Sequence, residues 1–250
     1  MNSLHPARLI SFDRGDPAAN MALDQVLLES VAAGAQPTLR LYGWSEPTLS
    51  LGYFQKAAER DAHAPSRSLA VVRRATGGGA IVHHHELTYS VVVPLASGQV
   101  GASDELYRQV HDAFIQALAD LGVRAARYDQ SCSTSCYDCP FLCFMRRNSN
   151  DLIVNGYKVL GSAQRKARKA VLQHGSLILR ASEFAPEIPG IVDLTGEPLT
   201  IDQISDLIAD RLGKALLLRF AVQDFDTAEH SRAGQISEQR FASSMWLDRR

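Results

Sequence analysis

The chain has 250 residues, of which 46% are hydrophobic and 21% are charged. This composition is typical of a globular protein and excludes a disordered, fibrous or collagen-like chain. The 26 Lys and Arg residues balance 27 Asp and Glu residues, so the formal net charge is −1. A protein that binds nucleic acid by neutralising phosphates normally carries a basic excess, and we therefore expect no nucleic-acid partner.

The apolar residues are not arranged for a membrane or for export. The longest apolar run, residues 87–95, contains Thr88, Tyr89 and Ser90 and is far shorter than the roughly 18 residues that a membrane-spanning helix needs. Residues 1–6 lack a basic segment followed by an apolar stretch, so no signal peptide is expected. Four cysteines are too few for a disulfide scaffold in this chain. We expect a cytoplasmic protein with reduced thiols and no membrane partner.

The predicted elements begin with a helix that Asp16 caps and Gly34 ends, with Pro17 at its first position. Apolar and β-branched runs then predict strands over residues 38–42, 48–53, 69–73, 80–83 and 87–93. A second helix is predicted over residues 103–121, with Ser103 as its cap.

The second half of the chain adds a hairpin, a strand and more helix. Strands over 151–154 and 157–160 flank an Asn-Gly pair, which favours a type I′ turn. Further elements are predicted as a strand over 171–179, a helix from a capping box at Thr200 to about residue 216, and a peripheral helix after about residue 227. Strands are numerous and do not alternate with helices. We therefore expect an α/β (α+β) fold, one domain over residues 1–250, with a mixed, largely antiparallel sheet flanked by helices.

A glycine-rich loop at residues 73–79 is the first segment with chemical content. Consecutive glycines let the backbone adopt positive φ and approach a ligand, whose carbonyl or phosphate oxygen the exposed N–H groups can bind. The loop matches neither a Walker A loop nor the dinucleotide-binding fingerprint, and the alternative is a flexible hairpin turn. Its candidate binding residues are Arg73, Arg74, Thr76, Gly77, Gly78 and Gly79.

Three consecutive histidines follow this loop. On a strand, His83 and His85 would point to one face and His84 to the other, so the run alone is not expected to chelate a metal. We expect one histidine, with His83 as the candidate, to face the glycine loop.

A second candidate cluster lies on two predicted strands in the C-terminal half. Lys158 precedes what we predict as a turn of small residues, and His174 lies inside the next strand beside a glycine, which usually marks a close approach of backbones. The alternatives are a solvated Lys158 and a structural His174. The basic stretch over 165–169 predicts a solvated loop or a surface that steers an acidic protein partner. The candidate residues are Lys158, Gly161, Ser162, Ala163, His174 and Gly175.

The cysteines fall in one short segment with the spacing C-x3-C-x2-C-x3-C. Four thiols can bind zinc or an iron–sulfur cluster. A second interpretation takes Cys143 alone as functional, and a third takes all four as inert loop thiols. The residue types leave the three interpretations open. The cysteines are Cys132, Cys136, Cys139 and Cys143.

Several of these segments together resemble the lipoate ligase and octanoyltransferase family, which shares its catalytic fold with biotin ligases. The resemblance covers about residues 8–190, and its motifs occur in the order of the family. The motifs are NMALD at 20–24, LYGW at 41–44, SLGYFQ at 50–55, RRATGGGAIVH at 73–83, LTYS at 87–90, NDL at 150–152, KVLGSAQ at 158–164 and LQHGS at 172–176.

The family contains two chemistries. ATP-dependent lipoate–protein ligases form an acyl-adenylate that the lysine matching Lys158 contacts, and they need ATP and magnesium. Cysteine-dependent, LipM-like octanoyltransferases instead form a thioester on a cysteine in a Cys-Phe segment shortly before the strand that opens with Glu/Asp-Leu. Cys143 and Phe144 match that segment, and they precede Asp151 and Leu152 without a gap. The resemblance therefore favours the octanoyltransferase, with the ligase as the alternative.

The resemblance implies that Cys143 and Lys158 are catalytic and that no cofactor or metal is needed. Cys143 would take octanoyl from octanoyl-acyl carrier protein, and a lysine of a lipoyl domain or a glycine-cleavage H-type protein would accept it. An ordinary cysteine is only a few per cent thiolate at pH 7, so a cation at Lys158 would favour the reactive form. The glycine loop and residues 161–163 would hold the acyl carbonyl. A third hypothesis, a non-catalytic metal-binding protein on this fold, rests on the cysteines alone.

Overall fold

The computed structural model describes residues 4–95, 101–128 and 140–249. Its strands are β1 His5–Gly15, β2 Thr38–Trp44, β3 Thr48–Leu51, β4 Ala70–Arg73, β5 Ile81–His83, β6 Glu86–Pro94, β7 Ala126–Arg127, β8 Leu152–Val154, β9 Tyr157–Lys166, β10 Ala170–Ile178 and β11 Leu218–Val222. Its α-helices are α1 Pro17–Ala32, α2 Ala102–Asp120, α3 Ile191–Thr195, α4 Ile201–Leu216, α5 Thr227–Ile236 and α6 Ser244–Leu247. Short 3₁₀ helices occupy Ala57–Ala62, Ala64–Ser66 and Cys143–Met145, and Ser237–Phe241 is π-helical.

The main sheet of the described ranges has eight strands in the order β11-β1-β2-β6-β10-β9-β8-β7. Strand β1 runs parallel to β11 and β2, and each of the other neighbouring pairs is antiparallel. The expected mixed, largely antiparallel sheet flanked by helices is thereby confirmed. The sequence did not predict β1 or β11, because Pro6 and the charged residues Arg8, Asp13 and Arg14 obscure the alternation of β1.

A second sheet carries the glycine-rich loop. Its central strand β3 runs parallel to β4 and antiparallel to β5, and residues 74–80 connect β4 to β5. This small sheet packs through its own apolar cluster, in which Leu49, Leu51 and Val82 contact Leu142 and Phe144. The glycine loop and the segment around Cys143 are therefore parts of one packed unit.

Helices cover both faces of the main sheet. Apolar residues of α2 and α4, including Phe114 and Ile208, pack with Leu41 and Val171 of the sheet in the largest apolar cluster. On the other face, Leu27 and Leu28 of α1 pack against Val92 and Leu172. Strand β1 reaches β2 through α1, which provides the crossover that a parallel pair requires.

Several local predictions are confirmed by the described geometry. Asp16 caps α1, since one carboxylate oxygen accepts from the backbone N–H groups of Ala18 and Ala19. Thr200 opens α4 with a capping box. Asn155 and Gly156 adopt φ of 46° and 85°, as a type I′ hairpin turn requires.

Four local predictions are wrong or incomplete. Ser103 does not cap α2, because the helix begins at Ala102 after a left-handed Gly101. Residues 161–163 form no turn but continue β9, where the pairing with β10 keeps them extended. The chain turns after His83, so the expected alternation over the three histidines ends there, and His84 and His85 stack with ring centres 3.6 Å apart.

The fourth difference concerns the C-terminal segment, which is helical but not peripheral. The indole nitrogen of Trp246 donates to the Arg73 carbonyl at 3.0 Å, and the Arg73 guanidinium donates to the Leu247 carbonyl. The segment therefore braces strand β4 directly before the glycine loop. The organisation of residues 1–250 as a single domain stays a prediction, and no helix in the described ranges is both long and apolar enough to cross a bilayer.

Phe114 provides a test of this packing. Its side chain is fully buried between α2 and the sheet. We expect Phe114→Ala to lower the free energy of unfolding by about 3–5 kcal/mol, because the substitution removes apolar contacts and leaves a cavity. Urea denaturation measures the change, and exposed Gln116 on the same helix provides the control. A loss for Phe114→Ala no larger than that for Gln116→Ala would disprove the packing.

Candidate active site

The glycine loop lies directly against the backbone at Cys143. A Cβ on Gly79 would come within 3.0 Å of the Cys143 Cα and N atoms, and a Cβ on Gly52 would come within 2.0 Å of the Gly78 carbonyl oxygen. Gly78 itself has a φ of 94°. The Cys143 N–H donates to the Ala80 carbonyl at 2.7 Å. Glycine is therefore required at positions 52 and 79, where the loop packs closely against other backbone. The alternative interpretation of the loop as a flexible hairpin turn is wrong.

The buried Arg74 side chain fixes the glycine loop by hydrogen bonds. Its guanidinium is buried and donates to the carbonyl and hydroxyl of Ser50 at 2.8 and 2.6 Å, and to the Gly79 carbonyl at 2.8 Å. Burial lowers the pKa of Arg74 to about 10, and the negative charge of a Cys143 thiolate would oppose this change. The guanidinium is therefore still charged at neutral pH. Arg74 and Cys143 both line a cleft between the glycine loop and strands β9 and β10.

Arg73 has a different position. Its side chain is fully buried and donates to backbone carbonyls of the 52–55 turn and of Leu247. Arg73 is not one of the described residues that line the cleft. The structure therefore does not place it with the other candidate site residues. The alternation of strand β4 explains this result, because neighbouring residues on a strand point to opposite faces.

Lys158 lies beside the Cys143 thiol. Its Nζ is 3.8 Å from the Cys143 Sγ and 2.9 Å from a carboxylate oxygen of Asp151. It also donates to the carbonyls of Cys143 and Arg146 at 3.3 and 3.4 Å. The side chains of Lys158 and Asp151 are 2% and 1% exposed, so the solvated alternative for Lys158 is wrong.

Gly161 explains how the lysine reaches this position. A Cβ there would lie 2.5 Å from the Lys158 Cε and 2.9 Å from its Nζ.

Burial raises the pKa of Asp151, and the adjacent Lys158 ammonium opposes that change. The second oxygen of this carboxylate is buried without a hydrogen-bond partner in the described residues. The space left by Gly161 and the charge of Asp151 together fix the position of Lys158.

His174 connects strand β10 to the glycine loop. Its Nε2 lies 2.7 Å from the Thr76 hydroxyl and its Nδ1 lies 3.3 Å from Asp24. Burial raises the pKa of Asp24, but hydrogen bonds from His174 and Ser90 and the charge of Arg40 leave it below its ordinary value. The Asp24 carboxylate therefore accepts from the Nδ1–H of His174, and the Thr76 hydroxyl is hydrogen-bonded to the other ring nitrogen.

Ser162 belongs to a buried chain of polar groups behind the cleft. Its hydroxyl lies 2.6 Å from the Tyr89 hydroxyl and 2.7 Å from His111 Nε2, while His111 Nδ1 lies 2.5 Å from the Asn150 carbonyl. Burial lowers the pKa of His111 to about 3, so this imidazole is neutral at physiological pH. The Gly175 position must lack a side chain, because a Cβ would come within 2.5 Å of the Ser162 hydroxyl.

His83 also has fixed partners. Its Nδ1 lies 2.7 Å from Glu86, its Nε2 lies 2.7 Å from the Ser50 hydroxyl, and its ring stacks on Trp44 at 3.9 Å. Burial lowers its pKa despite the adjacent Glu86 carboxylate. His83 is therefore a neutral wall of the cleft rather than a metal ligand.

The cleft brings together most of the predicted residues. Those that line it are Arg74, Gly77, Gly78, His83, Cys143, Gly161, Ser162, Ala163, His174 and Gly175. Thr76, Gly79 and Lys158 do not line the cleft, but they contact residues that do. Their proposed roles toward a substrate remain predictions.

Some residues of the cleft were not among the predicted site residues. They are Met21, Tyr42, Trp44, Ile81, Thr88 and Ser176. All six belong to motifs that carry the family resemblance, which was the available signal. Residues on apolar strands, however, are ordinarily part of the core. The side chains of Met21, Trp44 and Ile81 give the cleft an apolar wall suited to a hydrocarbon tail.

The described residues do not support a metal centre. They contain no group of three or more His, Cys, Asp or Glu side chains placed to hold a metal ion. Cys132, Cys136 and Cys139 lie outside the described residues, so the prediction for their segment stays a prediction.

Comparisons with known proteins agree with this geometry. Residues 16–185 match the lipoyl protein ligase A/B catalytic domain. The octanoyltransferase LipM of Kyrpidia tusciae is 33% identical over 92% of this chain and 94% of its own length. The octanoyltransferase LipM of Halalkalibacterium halodurans is 31% identical over 96% of this chain and 97% of its own length.

Solved structures show the same fold. The bipartite lipoate protein ligase of Thermoplasma acidophilum superposes with a TM-score of 0.78, at 20% identity over 97% of this chain and 96% of that one. A lipoate-protein ligase A bound with ATP superposes with a TM-score of 0.77, also at 20% identity, over 97% of this chain and 98% of that one. With its cleft, its motifs and the match over residues 16–185, the chain belongs to the lipoyl protein ligase A/B catalytic domain family.

Proposed function

We propose that the protein is an octanoyltransferase of lipoate biosynthesis that works through a thioester on Cys143. The observation that carries the proposal is the 3.8 Å approach of the Lys158 Nζ to the Sγ of Cys143, a residue that lines the cleft beside the glycine loop. Full-length similarity to octanoyltransferases supports it. The likeness to solved ligases concerns the fold, which both chemistries share.

In the first step, the Cys143 thiolate attacks the thioester carbonyl of octanoyl-acyl carrier protein. A bond forms between the Cys143 sulfur and the octanoyl carbon, the bond to the carrier sulfur breaks, and the carrier thiolate takes a proton. The Lys158 ammonium favours the Cys143 thiolate and stands within reach to deliver that proton. The glycine loop would bind the carbonyl oxygen as negative charge develops on it.

In the second step, the uncharged ε-amine of a lysine on a lipoyl domain or a glycine-cleavage H-type protein attacks the Cys143 thioester. An amide bond forms, Cys143 leaves as the thiolate, and the amine gives its proton to Lys158, which is neutral after protonating the carrier thiolate in the first step. The octanoyl tail would lie along Met21, Trp44 and Ile81. At roughly 0.8 kcal/mol per carbon, burial of seven carbons supplies about 6 kcal/mol of binding.

The first test is the covalent intermediate. Incubation with octanoyl-acyl carrier protein, without ATP, is expected to add one octanoyl group to Cys143, and hydroxylamine is expected to remove it. Intact-mass spectrometry measures both changes. Cys143→Ser should abolish transfer, because a serine hydroxyl without a base partner stays protonated. If Cys143→Ala keeps full activity and omission of ATP stops it, the protein is a lipoate–protein ligase.

The second test concerns Lys158. A thiolate, not a thiol, reacts with iodoacetamide, so loss of the neighbouring cation in Lys158→Met should shift the alkylation profile of Cys143 to higher pH and slow acylation. Lys158→Arg keeps the charge and should cause a smaller shift. Lys56→Met, on the surface, provides a control for the loss of one lysine. Identical profiles for the wild type and Lys158→Met would show that Lys158 does not act on the thiol.

The third test addresses cofactors. We expect the purified protein to contain no stoichiometric metal and to keep its melting temperature in EDTA, because structural thiolate zinc is strongly coupled to folding. The triple variant Cys132→Ser, Cys136→Ser, Cys139→Ser should transfer octanoyl at the wild-type rate. One zinc per chain by elemental analysis, or unfolding by chelators, would favour the cluster interpretation instead.

A further inference from the structure

Three arginines form a cationic surface with two aromatic rings beside the glycine loop. We call Arg165, Arg240 and Arg249, with Tyr53 and Trp246, the arginine surface. The Arg249 guanidinium lies 4.1 Å from the ring centre of Tyr53 and 4.5 Å from that of Trp246. The Arg240 guanidinium lies 3.9 Å from Trp246. Stacking on these rings orders side chains that would otherwise be flexible.

The arginine surface contacts the segment that enters the cleft. Arg165 donates to the Ala75 carbonyl at 2.8 Å, and the Tyr53 N–H donates to the Thr76 carbonyl at 2.8 Å. Ala75 and Thr76 directly precede Gly77 and Gly78, which line the cleft with Cys143. A molecule bound to this surface would therefore stand next to the glycine loop that lines the cleft.

The positive charge of this surface is only partly compensated, because the Glu29 carboxylate opposes the lowering of the Arg240 pKa without forming an ion pair with it. Within residues 4–95, 101–128 and 140–249, none of its three guanidiniums forms an ion pair, whereas nearby Arg232 is paired with Glu29. Burial lowers the pKa of Arg240, and the charges of Arg165 and Arg249 lower it further, which shows how close the three charges are. Such a cluster favours an anionic partner.

We propose that the arginine surface docks the acyl donor, an anionic carrier that presents its acyl thioester at the end of a phosphate-linked arm. The inference rests on the proposed function and names the face through which the donor approaches. Arginine forks suit phosphate and carboxylate oxygens. The acceptor, in contrast, must bring a lysine with an ordinary pKa of about 10.4, which is a cation at neutral pH and is repelled by this surface.

The test compares two donors on the full-length enzyme. One is octanoyl-acyl carrier protein and the other is octanoyl N-acetylcysteamine, a neutral thioester without phosphate or protein. We expect Arg249→Glu to raise the KM for the carrier donor about tenfold, with no change in the rate from the neutral thioester. Arg249→Lys, which keeps the charge, should be affected less. Arg219→Glu, an exposed arginine on the edge strand β11, is the matched control and should behave as wild type.

The outcomes separate this inference from the proposed function. An unchanged KM for the carrier donor in Arg249→Glu overturns the docking surface while Cys143 acylation still stands. Normal acylation combined with slower transfer to a lipoyl domain assigns the surface to the acceptor and also overturns it. If neither donor acylates the wild-type enzyme, the proposed function itself is wrong.

Discussion

The buried ion pair between Lys158 and Asp151 is the interaction around which the site is built. Removing two charges from water is costly, and the geometry offsets this cost with a 2.9 Å contact and further bonds from Lys158 to backbone carbonyls. Those carbonyls belong to the segment that carries Cys143, so the lysine binds the residue whose thiol it approaches. Glycine at position 161 makes room for the lysine, and glycine at position 79 makes room for the Cys143 backbone.

The charges around the cleft fit the proposal that a lysine, and not a histidine, acts on the thiol. Burial keeps His83 and His111 neutral at physiological pH, and each has its two ring nitrogens directed at fixed partners. Lys158 instead lies 2.9 Å from the Asp151 carboxylate, in an ion pair. In the mechanism that we propose, an ammonium 3.8 Å from the sulfur would stabilise the thiolate and then carry a proton between the leaving and attacking groups.

The features of this arrangement that depend on neighbouring residues in the sequence could be predicted, whereas those that depend on long-range pairing could not. Caps and turns are local, so Asp16, Thr200 and the Asn155-Gly156 turn have the expected geometry. Strand β1 depends on pairing with β2 and β11, whose distance along the chain leaves no local signal.

The site residues divide in the same way. The motifs identified the glycine loop, Lys158 and His174, but the small residues after Lys158 indicated a turn, and only pairing with β10 shows that they make room for the lysine. The separation of Arg73 from Arg74 follows from the alternation of β4, which the motif alone does not reveal. The bracing of β4 by Trp246 joins residues that are far apart in sequence, so no local pattern could have indicated it.

Chemical competence of the acylated enzyme tests the central claim most directly. Enzyme loaded with radiolabelled octanoyl would be separated from donor by gel filtration and mixed with a lipoyl domain in the absence of ATP. The account predicts that the label moves from Cys143 to the acceptor lysine in a single turnover, at a rate no slower than steady-state transfer. Label that stays on the enzyme, or moves more slowly than steady-state turnover, would contradict a thioester intermediate on Cys143.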